Sequence, residues 1–169
     1  MYIGEFVGSD VGKEMREISP TTVASLNTHD TAPFAGFWNG ADIRDREQLG
    51  LLTGDEVTRE QESRAQQRAA LIGYLQSNGW LGELTDPAAV LKAWLGCLAA
   101  SNAEVLLINL EDLWLEELPQ NVPGTYEERP NWRRKEKQSL TTIRRDPAIL
   151  DILKFVDQVR RQGVKASDV

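Results

Sequence analysis

An apolar, β-prone run over residues 21–26, which ends just before Thr28-His29-Asp30, constrains this chain more than any other feature. The run predicts a strand whose tip carries polar groups, among them the only histidine of the sequence and a neighbouring aspartate. In a barrel of parallel strands the C-terminal strand ends carry the chemistry, so a His-Asp pair there can meet groups from other strands around one substrate. Taken alone, the tripeptide is more typical of a hydrogen-bonded pair or a helix N-cap than of a catalytic site.

Charge and cysteine content exclude several classes of protein. A net charge of −7 repels polyanions, so nothing electrostatic favours nucleic acid or a membrane as a partner, and a neutral ligand suits the chain better. The single cysteine, Cys97, lies in an apolar helical pattern, which excludes an internal disulfide framework and predicts a small buried residue in a reducing compartment. The sequence shows neither a signal peptide nor an apolar stretch of membrane-spanning length, so we predict a cytoplasmic protein.

Periodicity and cap residues predict a mostly helical chain with a few short strands. Strands are predicted over residues 2–8 and 22–27, and the first begins without any lead-in, as in a chain cut out of something longer. A short charged helix is predicted over 42–52 and a long helix over 56–78. Only the second half of the long helix has an apolar stripe, which runs through Ala65, Ala69, Ile72 and Leu75.

Two further helices begin with an aspartate N-cap followed by proline, at Asp86-Pro87 and Asp146-Pro147. The first predicts a core stripe of Val90, Leu91, Trp94, Leu95 and Leu98. The second predicts a stripe of Ile149, Leu150, Leu153 and Val156 and an end near Gly163.

Two segments between these helices are not helical in pattern. Residues 103–110 are a short apolar run, which predicts either a buried strand or a well-packed extended segment. Residues 116–135 contain three prolines and no periodicity, yet Tyr126 and Trp132 are poor residues for a disordered linker. We therefore expect an irregular loop that packs on the protein and presents polar groups.

Few kinds of chemistry are open to this sequence. It has no metal-ligand cluster, no phosphate-binding glycine loop and no serine nucleophile elbow. The remaining polar groups are His29 and Asp30, the carboxylates of Glu5, Glu111 and Asp112, and the loop around Asn121. Hydrogen-bonding groups beside aromatic side chains are what a carbohydrate site uses, because sugars present hydroxyls and apolar ring faces.

Separated blocks of the chain also resemble one family. In order, they are Thr28-His29-Asp30, Gly36-Phe37-Trp38, Leu110-Glu111-Asp112-Leu113-Trp114, Gln120-Asn121-Val122-Pro123-Gly124-Thr125 and Asn131-Trp132-Arg133-Arg134-Lys135. Their order and spacing closely resemble the C-terminal part of the 4-alpha-glucanotransferases, the amylomaltases of glycoside hydrolase family 77, which are related to the alpha-amylases. The resemblance runs from Met1 to about Lys135.

This resemblance implies the C-terminal portion of a (β/α)8 TIM-type barrel, comprising its last two strands and the following helices. Residues 1–30 would hold those strands and the His-Asp tip, and residues 31–102 a helical segment. Residues 103–135 would hold the apolar strand and the Asn-Pro-Gly loop, and residues 136–169 the C-terminal helix and tail. By the same resemblance, strands 2–7 and 22–27 would be the seventh and eighth of the barrel.

The resemblance also implies an activity and its residues. The family moves α-1,4-glucan segments between maltooligosaccharides by a retaining double displacement, in which one carboxylate attacks the anomeric carbon and a second acts as acid and base. Asp30 would be the transition-state stabiliser, His29 would bind the same sugar, and Asn121 would be a further substrate contact. Glu111-Asp112 and Asn131-Trp132-Arg133 look structural, with the basic residues pairing carboxylates on the outside of the barrel.

The nucleophile and the acid/base of this family lie on earlier strands, so the resemblance implies a chain that is inactive alone and needs the remainder of the barrel. It implies maltooligosaccharides or α-1,4-glucan as ligand and no metal or organic cofactor. Three alternatives stay open: a non-catalytic glucan-binding or interaction module, a fragment of an alpha-amylase-clan hydrolase, and self-association through unpaired strand edges.

Overall fold

Three short parallel strands form the sheet of this protein. The computed structural model describes residues 2–3, 11, 15 and 18–162, and its strands are β1 (Tyr2–Ile3), β2 (Val23–Ser25) and β3 (Val105–Leu107), in the order β1-β2-β3. Tyr2 is in register with Ala24, and Val23 with Val105. Residues 4–8 of the predicted first strand lie outside the described residues.

The sheet corrects one prediction and completes another. The prediction that the His-Asp strand is the last strand of the barrel sheet is wrong, because β3 follows it in the chain and pairs with it in parallel, on the side away from β1. The run 103–110 does contain a strand, but not a buried one, since Val105 and Leu107 are 42% and 48% exposed. β3 is an edge strand of the described sheet, so these side chains have less protein packed over them than those of the central β2.

In the described ranges, the structure gives the bounds of six helices around the sheet, and local signals explain where the long ones begin. They are α1 (Phe34–Asn39), α2 (Ala41–Gln48), α3 (Gly54–Ser77), α4 (Pro87–Ala99), α5 (Leu140–Ile143) and α6 (Pro147–Gln162), with a 3-10 turn at Leu110–Trp114. The N-cap of α3 is Thr53, whose backbone N–H donates to the Glu56 carboxylate at 2.8 Å. Asp86 caps α4 by accepting from the backbone N–H of Ala88 at 3.0 Å.

Helix α4 is the centre of the core. The predicted stripe of Val90, Leu91, Trp94, Leu95 and Leu98 is confirmed, and each of these side chains is at most 1% exposed. Cys97 is buried as predicted, and this burial raises the pKa of its thiol to about 12. Helix α6 packs against α4. Its deepest residues are Ile149, Ile152, Val156 and Val159.

The predicted stripe of α3 is partly wrong. Ala65 and Ala69 are exposed, whereas the face that meets the core carries Leu71 and Leu75. On the same side the guanidinium of Arg64 lies 3.7 Å from the ring centroid of Phe37, and Arg68 covers Trp38. Arginine covers apolar rings with its stem and its planar head, so the pattern of apolar letters missed this contact.

Gly36 fixes how closely α1 approaches the loop that leads to the candidate site, which gives a stability prediction. A Cβ at residue 36 would overlap the backbone oxygen of Glu117, whereas a Cβ at Gly73 in α3 would meet nothing within 4 Å. We expect Gly36→Ala to lower the free energy of unfolding by about 1–3 kcal/mol, since backbone cannot move aside as a side chain can. The matched control Gly73→Ala should raise it by about 0.5–1 kcal/mol. Urea denaturation measures both, and equal effects would contradict the close approach.

Candidate functional site

A tight turn after β2 presents the predicted His-Asp pair. The backbone N–H of Thr31 donates to the Thr28 carbonyl at 3.2 Å, and the Thr28 N–H donates to the Thr31 hydroxyl at 2.9 Å. His29 and Asp30 occupy the middle of this turn, where their side chains are 67% and 51% exposed. The strand therefore ends in a closed turn that directs two polar groups outward.

The fold brings all three predicted site residues together. The side-chain amide of Asn121 donates to Oδ1 of Asp30 at 2.7 Å, although the two residues are 91 positions apart. Nε2 of His29 lies 3.1 Å from the other oxygen of Asp30. The carboxylate of Asp30 is thus held on one side by an amide and on the other by an imidazole, which fixes its orientation without a ligand.

Buried hydrogen bonds beneath the turn position its base. Asn27, the last residue before the turn, donates its amide to both oxygens of Asp112 at 2.9 Å. Asp112 also accepts from the first N–H of α1, on Phe34, at 2.7 Å. The carboxylate therefore joins the end of β2 to the start of α1, and the structural role predicted for Asp112 agrees with this geometry. Burial raises the pKa of Asp112 to about 6, although the bonds from Phe34 and Asn27 act in the opposite direction.

The loop that carries Asn121 is held on both sides of that residue. The Gln120 carbonyl accepts from the backbone N–H of Trp132 at 2.9 Å. The Val122 N–H donates to the side chain of Asn131 at 3.1 Å, and the Asn131 amide donates back to the Thr125 hydroxyl at 3.0 Å. Asn131 is structural, as predicted, because its side chain links the segment at residues 122–125 to its own segment of the loop.

Basic residues after this loop pair with a buried carboxylate, whereas the resemblance implied pairs on the outside of the barrel. Glu116 is 4% exposed, and it lies 3.2 Å from Arg134 and 2.9 Å from Lys137. Burial acts to raise the pKa of Glu116, but the hydrogen bonds from Lys137 and the Leu118 N–H, with the charge of Arg134, hold it below its usual value. The pair anchors the far end of the loop.

A groove of about 550 Å³ opens beside the contact between Asp30 and Asn121. Four carboxylates line the groove, and three of them pair with arginines: Asp42 with Arg64, Glu60 with Arg46, and Asp45 with Arg129, which does not itself line the groove. Since these charges compensate one another, the groove suits a neutral ligand with many hydroxyls better than an ion.

The residues matched by a known family include this whole site. The sequence model of glycoside hydrolase family 77, described as 4-alpha-glucanotransferase, matches residues 1–141. The chain belongs to the 4-alpha-glucanotransferase family. The resemblance that the separated blocks indicated in the sequence is thereby confirmed.

Individual relatives agree with this family. The chain is 40% identical over 113 residues to 4-alpha-glucanotransferases of Mycobacterium bovis and Mycobacterium tuberculosis, covering 66% of this chain and 16% of each relative. It is 28% identical over 145 residues to that of Haemophilus influenzae, covering 81% of this chain and 21% of the relative. The chain therefore spans about a fifth of the length of the curated relatives it matches.

A solved structure agrees on the fold. The amylomaltase from Corynebacterium glutamicum superposes with a TM-score of 0.80 at 22% identity, over 92% of this chain and 25% of that one. The arrangement of helices around a parallel sheet is thus that of a segment of an amylomaltase.

Trp132 lies beside the candidate site, which the sequence pattern did not predict. Its block was predicted to be structural, which holds for Asn131, but the ring of Trp132 lies 5.8 Å from that of His29 and is 60% exposed. A tryptophan in a proline-rich loop without periodicity was the available signal, since such a residue has no helix face to pack on.

In the part of the chain that the structure describes, no three His, Cys, Asp or Glu side chains are grouped so that they hold a metal ion. Within the same residues, no helix is both long enough and apolar enough to cross a membrane.

Proposed function

We propose that this chain is part of a 4-alpha-glucanotransferase that transfers α-1,4-glucan segments between maltooligosaccharides by a retaining double displacement. In this proposal the chain supplies Asp30 as the transition-state stabiliser, with His29 and Asn121 as substrate contacts. The three-residue contact at the end of β2 carries the proposal, because it holds one carboxylate in a fixed orientation beside a groove whose other carboxylates are paired with arginines.

The chemistry explains why such a carboxylate is useful. As the glycosidic bond breaks, the anomeric centre gains positive charge and the sugar ring flattens. Hydrogen bonds from the sugar hydroxyls to Asp30 that strengthen during this change stabilise the transition state more than the bound substrate. The Asn121 amide orients the carboxylate before the glucan arrives, so little reorganisation is needed during the reaction.

A retaining mechanism needs two further carboxylates, about 5 Å apart, as nucleophile and acid/base. The groups that hold Asp30 are an amide and an imidazole, and neither of them can serve as the carboxylate nucleophile or as the carboxyl acid/base. We therefore assign the catalytic pair to preceding barrel strands and the described strands β1 to β3 to the end of the barrel. The remainder of the barrel is then the partner of this chain. The half-exposed Val105 and Leu107 support this assignment, since an open sheet leaves apolar side chains uncovered.

Two preparations test the proposal. One is this chain alone; the other, termed the fusion transferase, is this chain joined to the Mycobacterium bovis relative truncated before its matching segment. With maltotriose as substrate, we expect no turnover by the chain alone, and glucose with longer maltooligosaccharides from the fusion transferase. The truncated relative rejoined to its own segment is the positive control, and the truncated relative alone is the negative control.

The outcomes distinguish a transferase segment from a hydrolase segment and from a non-catalytic binding module. Turnover by the chain alone would refute the assignment of the catalytic pair to other strands. Free glucose without longer products would favour a hydrolase of the alpha-amylase clan. A fusion that folds but does not turn over, while the chain still binds glucan, would favour a non-catalytic binding module.

A further inference from the structure

Trp132 differs from the other tryptophans of the chain in its surroundings. Trp38 and Trp94 are buried, and Trp80 and Trp114 pack partly buried against the core. Trp132 instead exposes three fifths of its surface in the loop beside the candidate site. Since a large aromatic ring usually contributes to packing, one held out toward solvent needs another explanation.

The backbone of Trp132 is also held in an unfavourable conformation. Its φ is 59°, in the left-handed region that side chains other than glycine rarely adopt. The hydrogen bond from its N–H to the Gln120 carbonyl and the neighbouring Asn131 contacts keep it there. Such strain persists where the surroundings impose it, and it occurs often at ligand sites.

The ring lies at the end of a line of side chains that begins at the groove. Asn121 contacts Asp30, Asp30 contacts His29, and the rings of His29 and Trp132 lie 5.8 Å apart with their planes inclined by 41°. The indole of Trp132 therefore lies directly beside the two side chains that the proposed function assigns to one sugar.

We propose that Trp132 is a stacking platform for the glucose residue that adjoins the one bound at His29 and Asp30. The apolar face of that glucose packs on the indole, so Trp132 favours glucans long enough to reach it. This role rests on the proposed function for the identity of the sugar, and it adds a residue that determines chain-length preference.

The test follows the indole N–H of Trp132 by NMR while maltoheptaose is added to this chain. The expected result is a saturating shift of that signal, which Trp132→Phe identifies by its absence. Trp132→Gly should weaken the affinity about tenfold. Glycine suits a left-handed φ, so this variant should fold at least as stably as the parent.

Tyr126→Gly is the matched control, because Tyr126 is an aromatic residue of the same loop that is 80% exposed. Its affinity for maltoheptaose should equal that of the parent chain. An unmoved Trp132 signal, or equal affinities for Trp132→Gly and the parent, would overturn the platform.

The fusion transferase keeps this test separate from that of the proposed function. Binding at Trp132 with no transfer by the fusion would support the stacking role of Trp132 and refute the proposed transferase function. If the fusion transfers glucan but Trp132→Gly changes neither its KM nor its preference for longer glucans, the transferase function would be supported and the stacking role refuted.

Discussion

Replacing Asp30 by asparagine in the fusion transferase is expected to lower the rate of glucan transfer roughly 10³-fold. The amide has nearly the same shape but lacks the negative charge that opposes the positive charge of the transition state. The side chain is half exposed, so the melting temperature should change little. Initial rates with maltotriose over a range of concentrations measure the loss, and kcat and kcat/KM should fall together.

Asp55→Asn is the control for this prediction, because it makes the same chemical change at an exposed position in the first turn of α3. Its transfer rate should equal that of the parent. A loss below tenfold for Asp30→Asn would show that Asp30 does not act on the transition state.

Replacing Asp112 by alanine should destabilise the folded protein by about 3–4 kcal/mol. The carboxylate is 1% exposed and accepts from Asn27 and from the first N–H of α1, so its loss leaves two buried donors without a partner. Urea unfolding measures the change, with Asp55→Ala as an exposed control that should shift stability by no more than about 0.5 kcal/mol. Stability equal to the parent would mean that the contact does not hold β2 to α1.

The pH dependence of stability checks the same carboxyl independently. Burial raises its pKa from 3.8 to about 6, so between these values the folded protein keeps a proton that the unfolded chain releases. The contribution of Asp112 to the free energy of unfolding therefore falls as pH rises from about 4 to 6 and is constant above. Asp112→Asn removes this slope. Parent and variant curves that stay parallel from pH 4 to 7 would contradict the raised pKa.

Short-range signals predicted much of this fold. The helices α4 and α6 each begin after an aspartate cap followed by proline and repeat apolar residues at helical spacing, and both features act over a few positions. The stripe of α4 was found in full because its whole face is apolar. By contrast, α1 has no such cap: its first N–H is bonded to Asp112, which lies 78 positions away and carries no local sign of that contact.

The candidate site likewise has one part that local sequence signals predicted and another that they did not. A polar tip at the end of β2 was evident from the residue pattern, while the roles of Asp30, His29 and Asn121 came from the family resemblance and remain proposals. The contact of Trp132 with His29 was not predicted, because nothing near Trp132 in sequence indicates a neighbour more than a hundred positions earlier.

By itself the sequence determined the family, the long helices and the strand that ends at His29 and Asp30. Each of these depends on residues whose spacing along the chain is meaningful without knowledge of the rest. The central place of β2 in the sheet, the bond from Asn121 to Asp30 and the exposed ring of Trp132 became evident in the folded chain alone. These features are contacts between distant segments, and they exist because core packing and buried hydrogen bonds bring those segments to one edge of the sheet.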